Sequence, residues 1–148
     1  MMLLDRRSIL ALAAVVDIAI HARPQPVAAK LLAARLDLPP RHLETLLQAL
    51  VRAEILKGVR GPRGGYELAR ERRRITAAEV VSAIKSEGDG EEEAPRNAFV
   101  EEVIQPVIAK AGEAFLADLE GVTIDDICRQ AAETKPVHDE AAKPDFTI

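Results

Sequence analysis

Two groups of side chains have the types and spacing to contact nucleic acid. The first group consists of polar residues at helical spacing in one segment: Arg41, Glu44, Thr45 and Gln48. Their guanidinium, carboxylate, hydroxyl and amide groups suit the donors and acceptors on base edges. The second group, Arg60 and Arg63, lies in the run Arg60-Gly61-Pro62-Arg63-Gly64-Gly65. An arginine on a protruding hairpin suits the negative potential of a narrow minor groove, so both groups predict contacts with double-stranded DNA.

Each group also has an ordinary structural alternative. The polar segment could be the solvated face of a helix, and the two arginines could be surface charges on a turn. His42 could be a metal ligand, but no second histidine lies near it in sequence, which favours a base contact. The sequence has no glycine-rich phosphate loop opening a helix, no metal-ligand cluster and no helpfully spaced Cys/His pair. We therefore predict no catalytic residues and no enzyme activity.

Charge is divided unevenly along the 148 residues. The net charge is -4, but residues 1–75 hold 14 Lys and Arg against 7 Asp and Glu, whereas residues 76–148 hold 6 against 17. The basic half can attract phosphate, and the acidic half favours solubility. An aromatic content of 3% argues against single-stranded nucleic acid, whose binding usually needs aromatic stacking platforms.

Two short helices and a hairpin are predicted to position these side chains. Residues from Val27 to Leu36 and from Pro40 to Ala53 have helical apolar spacing, and the turn Asp37 to Pro39 separates them. This is the pattern of a helix-turn-helix unit whose second helix presents the polar group. The segments Ile55 to Val59 and Tyr66 to Ala69 enclose the glycine-rich run and predict a two-stranded wing.

The other predicted elements are helical. The segment Asp5 to Ala22 is apolar around nearly its whole circumference, which predicts a central, fully packed helix. His21 closes it. Thr76 and Glu79 form a capping-box pattern that opens another helix, and Thr123 can cap a final helix that runs to about Thr134.

A long amphipathic helix is predicted from Asn97 to Leu119, with a kink or restart at Pro106. Its apolar stripe has no obvious partner in the same chain, and the same helix of a second copy would bury it. We therefore expect a homodimer that holds two DNA-reading units at a fixed separation and binds a palindromic site.

The predicted fold is mainly α, and the chain divides into four parts. Residues 1–85 form a winged helix-turn-helix DNA-binding domain, and 86–96 form an acidic linker. Residues 97–134 form the dimerisation helix and the short final helix, and 135–148 form a flexible tail. The run Glu91 to Glu93, with Glu101 and Glu102, could hold a cation, but a solvated charge run is the commoner outcome.

The chain is expected to be cytoplasmic and not to bind a membrane. Arg6-Arg7 followed by Ile9 to Val16 mimics a signal peptide, but Asp17 interrupts the apolar run, which is too short to span a bilayer. The single cysteine, Cys128, fits a reducing compartment. Its spacing relative to Ile124 and Ile127 favours a buried apolar role, with a redox role as the alternative.

Several stretches resemble the Rrf-two (Rrf2) family of bacterial regulators: Leu43-Glu44 through Leu50, Ala53-Glu54-Ile55-Leu56, Val59 through Ala69, Ile75-Thr76 and Val80. The likeness covers about residues 3–85 well and the remainder only in helix pattern. It implies a winged helix-turn-helix with a long dimerisation helix that binds operator DNA. By this resemblance, Arg41, His42 and Glu44 would start the recognition helix in the major groove and Arg60 would enter the minor groove. Arg63, where the family often has glycine, would add a phosphate contact.

One departure from the family concerns a cofactor. Its cluster-binding members resemble one another in having three closely spaced cysteines before the long helix, and the stretch Glu87 to Phe99 has none. We therefore expect no cofactor and no iron–sulphur cluster of that kind. The predicted function is a sequence-specific transcription regulator, a repressor by the commoner family outcome, whose effector is unknown. The alternative is an adaptor of the same fold, whose acidic half binds a protein partner while DNA binding is weak or lost.

Overall fold

The computed structural model describes residues 4–86 and 97–134. The elements are α1 (Arg6–His21), α2 (Ala29–Leu36), α3 (Pro40–Arg52), β1 (Leu56–Val59), β2 (Gly65–Leu68), a 3-10 helix (Arg72–Arg74), α4 (Ala77–Ser86), a π-helical turn (Val100–Ile104), α5 (Gln105–Glu120) and α6 (Ile124–Glu133). The prediction of a mainly α, winged helix-turn-helix fold is confirmed.

Parts of the predicted domain division lie outside the described residues. These are the acidic linker 86–96 apart from its first residue, including Glu91 to Glu93, and the tail 135–148. The division into four parts stays a prediction.

Helix α1 is the central helix of the domain. Asp5 caps it by accepting a hydrogen bond from the Ser8 N–H at 2.9 Å. One face of α1 is buried, and it includes Ala11, Ala14, Val15 and Ile18. The prediction that α1 is packed on all sides is wrong, because Ile9 is 42% exposed and Ile20 is 40% exposed. An apolar circumference does not say which face has a neighbour in the same chain.

An ion pair joins α1 to the helix-turn-helix. The Arg35 guanidinium donates from Nε to Asp17 Oδ2 at 2.9 Å and from Nη2 to Asp17 Oδ1 at 2.7 Å. Asp17 is buried, and the ring Nδ1 of His21 lies 3.3 Å from its Oδ1. This bidentate pair fixes α2 against α1, and α3 follows α2 after a turn in which Asp37 adopts a left-handed conformation.

Strands β1 and β2 form the antiparallel hairpin called the wing here, residues 56–68. Their register pairs Leu56 with Leu68 and Val59 with Gly65. Leu56 is buried, so the base of the wing is part of the domain core, and the loop projects away from it.

The capping box predicted at Thr76 is present, and the cap predicted at Thr123 is part of a second capping box that lies next to it. Thr76 Oγ1 accepts from the Glu79 N–H at 3.2 Å, and the Thr76 N–H donates to Glu79 Oε2 at 3.1 Å. At α6, Thr123 and Asp126 make the equivalent pair of bonds. Thr76 and Thr123 also form an isolated β-bridge, which joins the start of α4 to the start of α6. Helix α6 then packs on α1 and adds Ile124 and Cys128 to the core.

The long helix changes from a π-helical turn to an α-helix just ahead of Pro106, where the sequence predicts a kink or restart. A proline removes one helical N–H and crowds the preceding turn, and here the π-helical turn ends at Ile104, so that Pro106 lies in the first turn of α5. No residue of α5, which lies wholly in the described range, is buried. Within residues 4–86 and 97–134, no helix is long and apolar enough to cross a membrane.

Candidate DNA-binding surface

Helix α3 presents the predicted polar group to solvent. The side chains of its other face pack into the core: Leu43, Leu46, Leu47, Ala49 and Leu50. The outward positions are all exposed: Arg41, His42, Glu44, Thr45 and Gln48. Pro40 starts the helix, where its missing N–H costs no helical hydrogen bond. The sequence folds locally as expected because apolar residues recur every three or four positions.

The tip of the wing is a tight, glycine-dependent loop that exposes two arginines. Arg60 and Arg63 are both exposed. Gly61 has a φ of 114°, and the Gly64 N–H donates to its carbonyl at 2.9 Å. A side chain at Gly64 would place its Cβ only 2.2 Å from the Val59 carbonyl oxygen. The glycines therefore permit the close reversal that carries both arginines outward.

Two backbone hydrogen bonds anchor the wing to the helix-turn-helix. The Val27 N–H donates to the Tyr66 carbonyl at 2.9 Å, and the Tyr66 N–H donates to the Val27 carbonyl at 2.8 Å. Gly65 makes this approach possible, because a Cβ there would lie 2.3 Å from the Val27 oxygen. Since Val27 leads directly into α2, the wing and the helix-turn-helix are joined at this point.

Arg60 lies beside the beginning of α2. It lines a hollow of about 400 Å³ together with Ala28, Ala29 and the glycines at the base of the loop. No side chain caps α2, whose N-cap residue is Ala28. The positive end of the α2 dipole and the Arg60 guanidinium therefore both contribute positive electrostatic potential at this hollow.

The structure adds two basic residues that the sequence did not assign to this surface. Arg6 and Arg7, at the start of α1, line a cavity of about 680 Å³ together with His42 and Thr45 of α3. From the sequence alone, Arg6 and Arg7 are notable only because, with the apolar run that follows, they mimic a signal peptide. No local pattern reports this proximity, because it depends on how α1 packs against α3, a helix distant from it in sequence.

Cys128 lies away from this surface, in α6, and is 6% exposed. Burial raises the pKa of its thiol, and the nearby Arg72 guanidinium opposes that shift. Its location agrees with the predicted apolar role, while the redox alternative stays a prediction. Among residues 4–86 and 97–134, no three or more His, Cys, Asp and Glu side chains are grouped so that they could hold a metal ion.

A two-stranded wing next to an exposed polar helix defines a winged helix-turn-helix protein. Residues 4–130 match the model of the Rrf2 family, described as iron-dependent transcriptional regulators. The chain belongs to the Rrf2 family, and it is a DNA-binding transcription regulator by that membership.

Individual relatives support the assignment. The chain is 30% identical to BadM of Rhodopseudomonas palustris over 129 residues, 86% of this chain and 82% of BadM. It is 31% identical to protein rrf2 of Nitratidesulfovibrio vulgaris over 125 residues, 78% of this chain and 80% of that protein. The solved structure of T. potens IscR superposes with a TM-score of 0.71 at 28% identity and covers 90% of each chain.

The single cysteine of this chain does not fit the three-cysteine iron–sulphur cluster that the family resemblance implies for cluster-binding members. Such a cluster is held by several thiolates, and the sequence supplies one, Cys128. That thiol is buried in α6 beside Arg72 and Asp125, where no second thiolate of the chain can join it. That the protein works without a cofactor stays a prediction.

Proposed function

We propose that the protein is a cytoplasmic repressor that binds a palindromic operator as a homodimer and has no catalytic activity. Arg41, His42 and Glu44 contact bases in the major groove, and Arg60 enters the minor groove. The observation that carries the proposal is the Val27–Tyr66 backbone pairing, because it ties the wing to the helix-turn-helix. Two reading elements that are preorganised relative to each other lose less entropy on binding DNA.

Phosphate contacts supply the rest of the proposed interface. Arg63 on the wing loop contacts the DNA backbone, and the uncapped N-terminus of α2 offers N–H groups to a phosphate beside Arg60. Thr45 and Gln48 continue the exposed face of α3 along the groove. Contacts to phosphates fix the position of the protein on the duplex, and contacts to bases supply sequence preference.

The homodimer part of the proposal is supported by the exposed apolar side chains of the long helix. They are Phe99, Val103, Ile104, Val107 and Ile108, which are between 41% and 65% exposed. An exposed apolar stripe of this kind marks an interaction surface. A second copy would cover it through a two-fold symmetric contact, which would place two α3 helices for the two halves of a palindrome.

Selection of bound fragments from sheared genomic DNA tests the DNA-binding part. The purified protein should enrich one palindromic motif, and gel shifts of that fragment at two salt concentrations should show steep salt dependence. Changing both Arg60→Ala and Arg63→Ala should weaken binding and reduce the slope of log affinity against log salt by about 0.9 for each phosphate that is no longer neutralised. Arg73→Ala is the matched control, because Arg73 is exposed, is not part of the loop that carries Arg60 and Arg63, and pairs with Glu71. An unchanged affinity and slope in the double variant would remove the wing from the interface.

Sedimentation of the purified protein tests the dimer. Val107→Glu together with Ile108→Glu places charges on the exposed stripe, and we expect this variant to sediment as a monomer that keeps its helical content. Ala109→Glu introduces one such charge on a different side of α5 and should leave the dimer intact. A wild-type monomer, or a dimer that survives the double variant, would contradict the proposed interface.

The adaptor alternative predicts a different result from the same experiments. A protein that enriches no motif but retains a stoichiometric protein partner through its acidic half would fit that alternative. Transcription from the enriched promoter in a purified system distinguishes repression from activation, since a repressor lowers the transcript level when it is added.

A further inference from the structure

A groove between α1 and α3 has a lining that differs from the rest of the candidate DNA surface. Three of its lining residues are apolar, Leu10, Pro39 and Leu46, and they are called the floor here. Its volume of about 680 Å³ lies in the range of small-molecule sites in proteins. An apolar floor does not contribute to binding a DNA phosphate, because a phosphate is contacted through its oxygens.

The polar lining residues of the same groove, called the rim here, include two arginines and a histidine. Arg6 and Arg7 lie on the α1 side, and His42 and Thr45 lie on the α3 side. Among the described residues, no carboxylate lines the groove. Asp5, which is next to Arg6 in sequence, is engaged as the cap of α1 through the Ser8 N–H. The rim therefore selects an anion, and the floor selects an apolar body attached to it.

We propose that this groove binds a small organic carboxylate with an aromatic or branched aliphatic body, and that the bound carboxylate releases the protein from DNA. The carboxylate lies between the arginine side chains, whose planar donors suit two oxygens. The apolar body lies on Leu10 and Pro39. Because the floor contains neither methionine nor an aromatic residue, it selects the apolar body by size alone.

Ligand binding and DNA binding compete because the two sites share residues. His42 and Thr45 line the groove and also belong to the exposed face of α3. A ligand that occupies the groove covers these side chains and adds negative charge beside a surface that approaches phosphates. This regulatory half of the proposal rests on the proposed function, because it requires α3 to contact DNA.

Titration with a matched set of probes tests the binding half without DNA. Naphthylacetate carries both features, naphthylacetamide lacks the charge, and acetate lacks the apolar body. In amide NMR spectra of ¹⁵N-labelled full-length protein, naphthylacetate should shift the signals of Leu10, His42 and Thr45. The two analogues should bind at least about tenfold more weakly. Arg6→Gln with Arg7→Gln should weaken naphthylacetate by about tenfold or more, whereas Arg73→Gln should not.

Gel shifts on the selected operator test the regulatory half. Naphthylacetate should release wild-type protein from DNA at concentrations that fill the groove, and naphthylacetamide should not. Leu10→Phe, which adds volume at the floor, should reduce naphthylacetate binding and keep the complex insensitive to it.

Four results would overturn the proposal in distinguishable ways. Equal binding of the charged and neutral probes would remove the anion site, and no shift at the groove amides would remove the site altogether. If the arginine variant loses DNA affinity but the wild type binds no probe, the two arginines contact DNA phosphates instead. If the amide signals of the groove residues change with protein concentration in the absence of probe, the groove is occupied by a second copy of the chain. A protein that binds naphthylacetate but no DNA would instead refute the proposed function, and with it the regulatory half, while supporting the binding site.

Discussion

Replacing Gly65 with alanine tests the anchor between the wing and the helix-turn-helix. The new Cβ would lie 2.3 Å from the Val27 carbonyl oxygen, whereas ordinary contacts begin at 3.4 Å. The two segments must therefore separate by about 1 Å, which carries both Val27–Tyr66 hydrogen bonds beyond their effective range. Each such bond contributes about 0.5–1.5 kcal/mol, so we expect the free energy of unfolding to fall by about 2 kcal/mol.

Thermal unfolding followed by circular dichroism measures this effect. A decrease of about 2 kcal/mol should lower the midpoint by about 6–8 °C, since one kcal/mol corresponds to about 3–4 °C for a chain of this size. Operator affinity should fall as well, because the wing no longer has a fixed position relative to α3.

Gly58→Ala is the matched control, because it lies in the same hairpin and a Cβ there meets nothing within 4 Å. It should leave stability unchanged or raise it by about 0.5–1 kcal/mol, as alanine loses less backbone entropy than glycine. If Gly65→Ala proves as stable and binds DNA as tightly as Gly58→Ala, the anchor has no such role.

Three further predictions follow from contacts elsewhere in the domain. Arg35→Ala leaves the buried Asp17 carboxylate without its bidentate partner and should lower the free energy of unfolding in urea by about 3 kcal/mol; a decrease below about 1 kcal/mol would contradict the pairing. Hydrogen bonds from Thr123 hold the pKa of Asp126 below its ordinary value of 3.8, so this carboxylate stabilises the folded state above that pH and the contribution is lost as pH falls through the lowered pKa. The unfolding midpoint should therefore drop on acidification more steeply in wild type than in Asp126→Asn, and parallel curves would exclude this contribution. Burial raises the pKa of Cys128, so iodoacetamide should label it slowly in native protein and quickly in urea; equal rates would show that the thiol is accessible.

The features that the sequence predicted well are those that depend on neighbouring residues. The Thr76 capping box needs only Glu79 three positions later, and the α3 face needs only the helical recurrence of leucines. The turn of the wing follows from its glycines, since Gly61 adopts a positive φ that other residues avoid. Local chemistry decides these features whatever the rest of the chain does.

The features that the sequence did not predict depend on packing between distant segments. The pairing of Asp17 with Arg35 and the position of Arg6 beside His42 both require knowing how α1 lies against α2 and α3. The exposure of Ile9 and Ile20 has the same origin, because a helix with an apolar circumference leaves open which side finds a neighbour. The same holds for the close approach of Gly65, whose role is visible only once Val27 lies next to it.

The bridge between Thr76 and Thr123 has a consequence for how this chain tolerates changes in length. The Ala77 N–H donates to the Val122 carbonyl, and the Ile124 N–H donates to the Ile75 carbonyl, each at 2.8 Å. These bonds join the residues around Thr76 to those around Thr123, so the two ends of the intervening segment are held together. We therefore expect insertions or deletions in the sequence between α4 and α5 to leave these bonds, and the register of α6, unchanged.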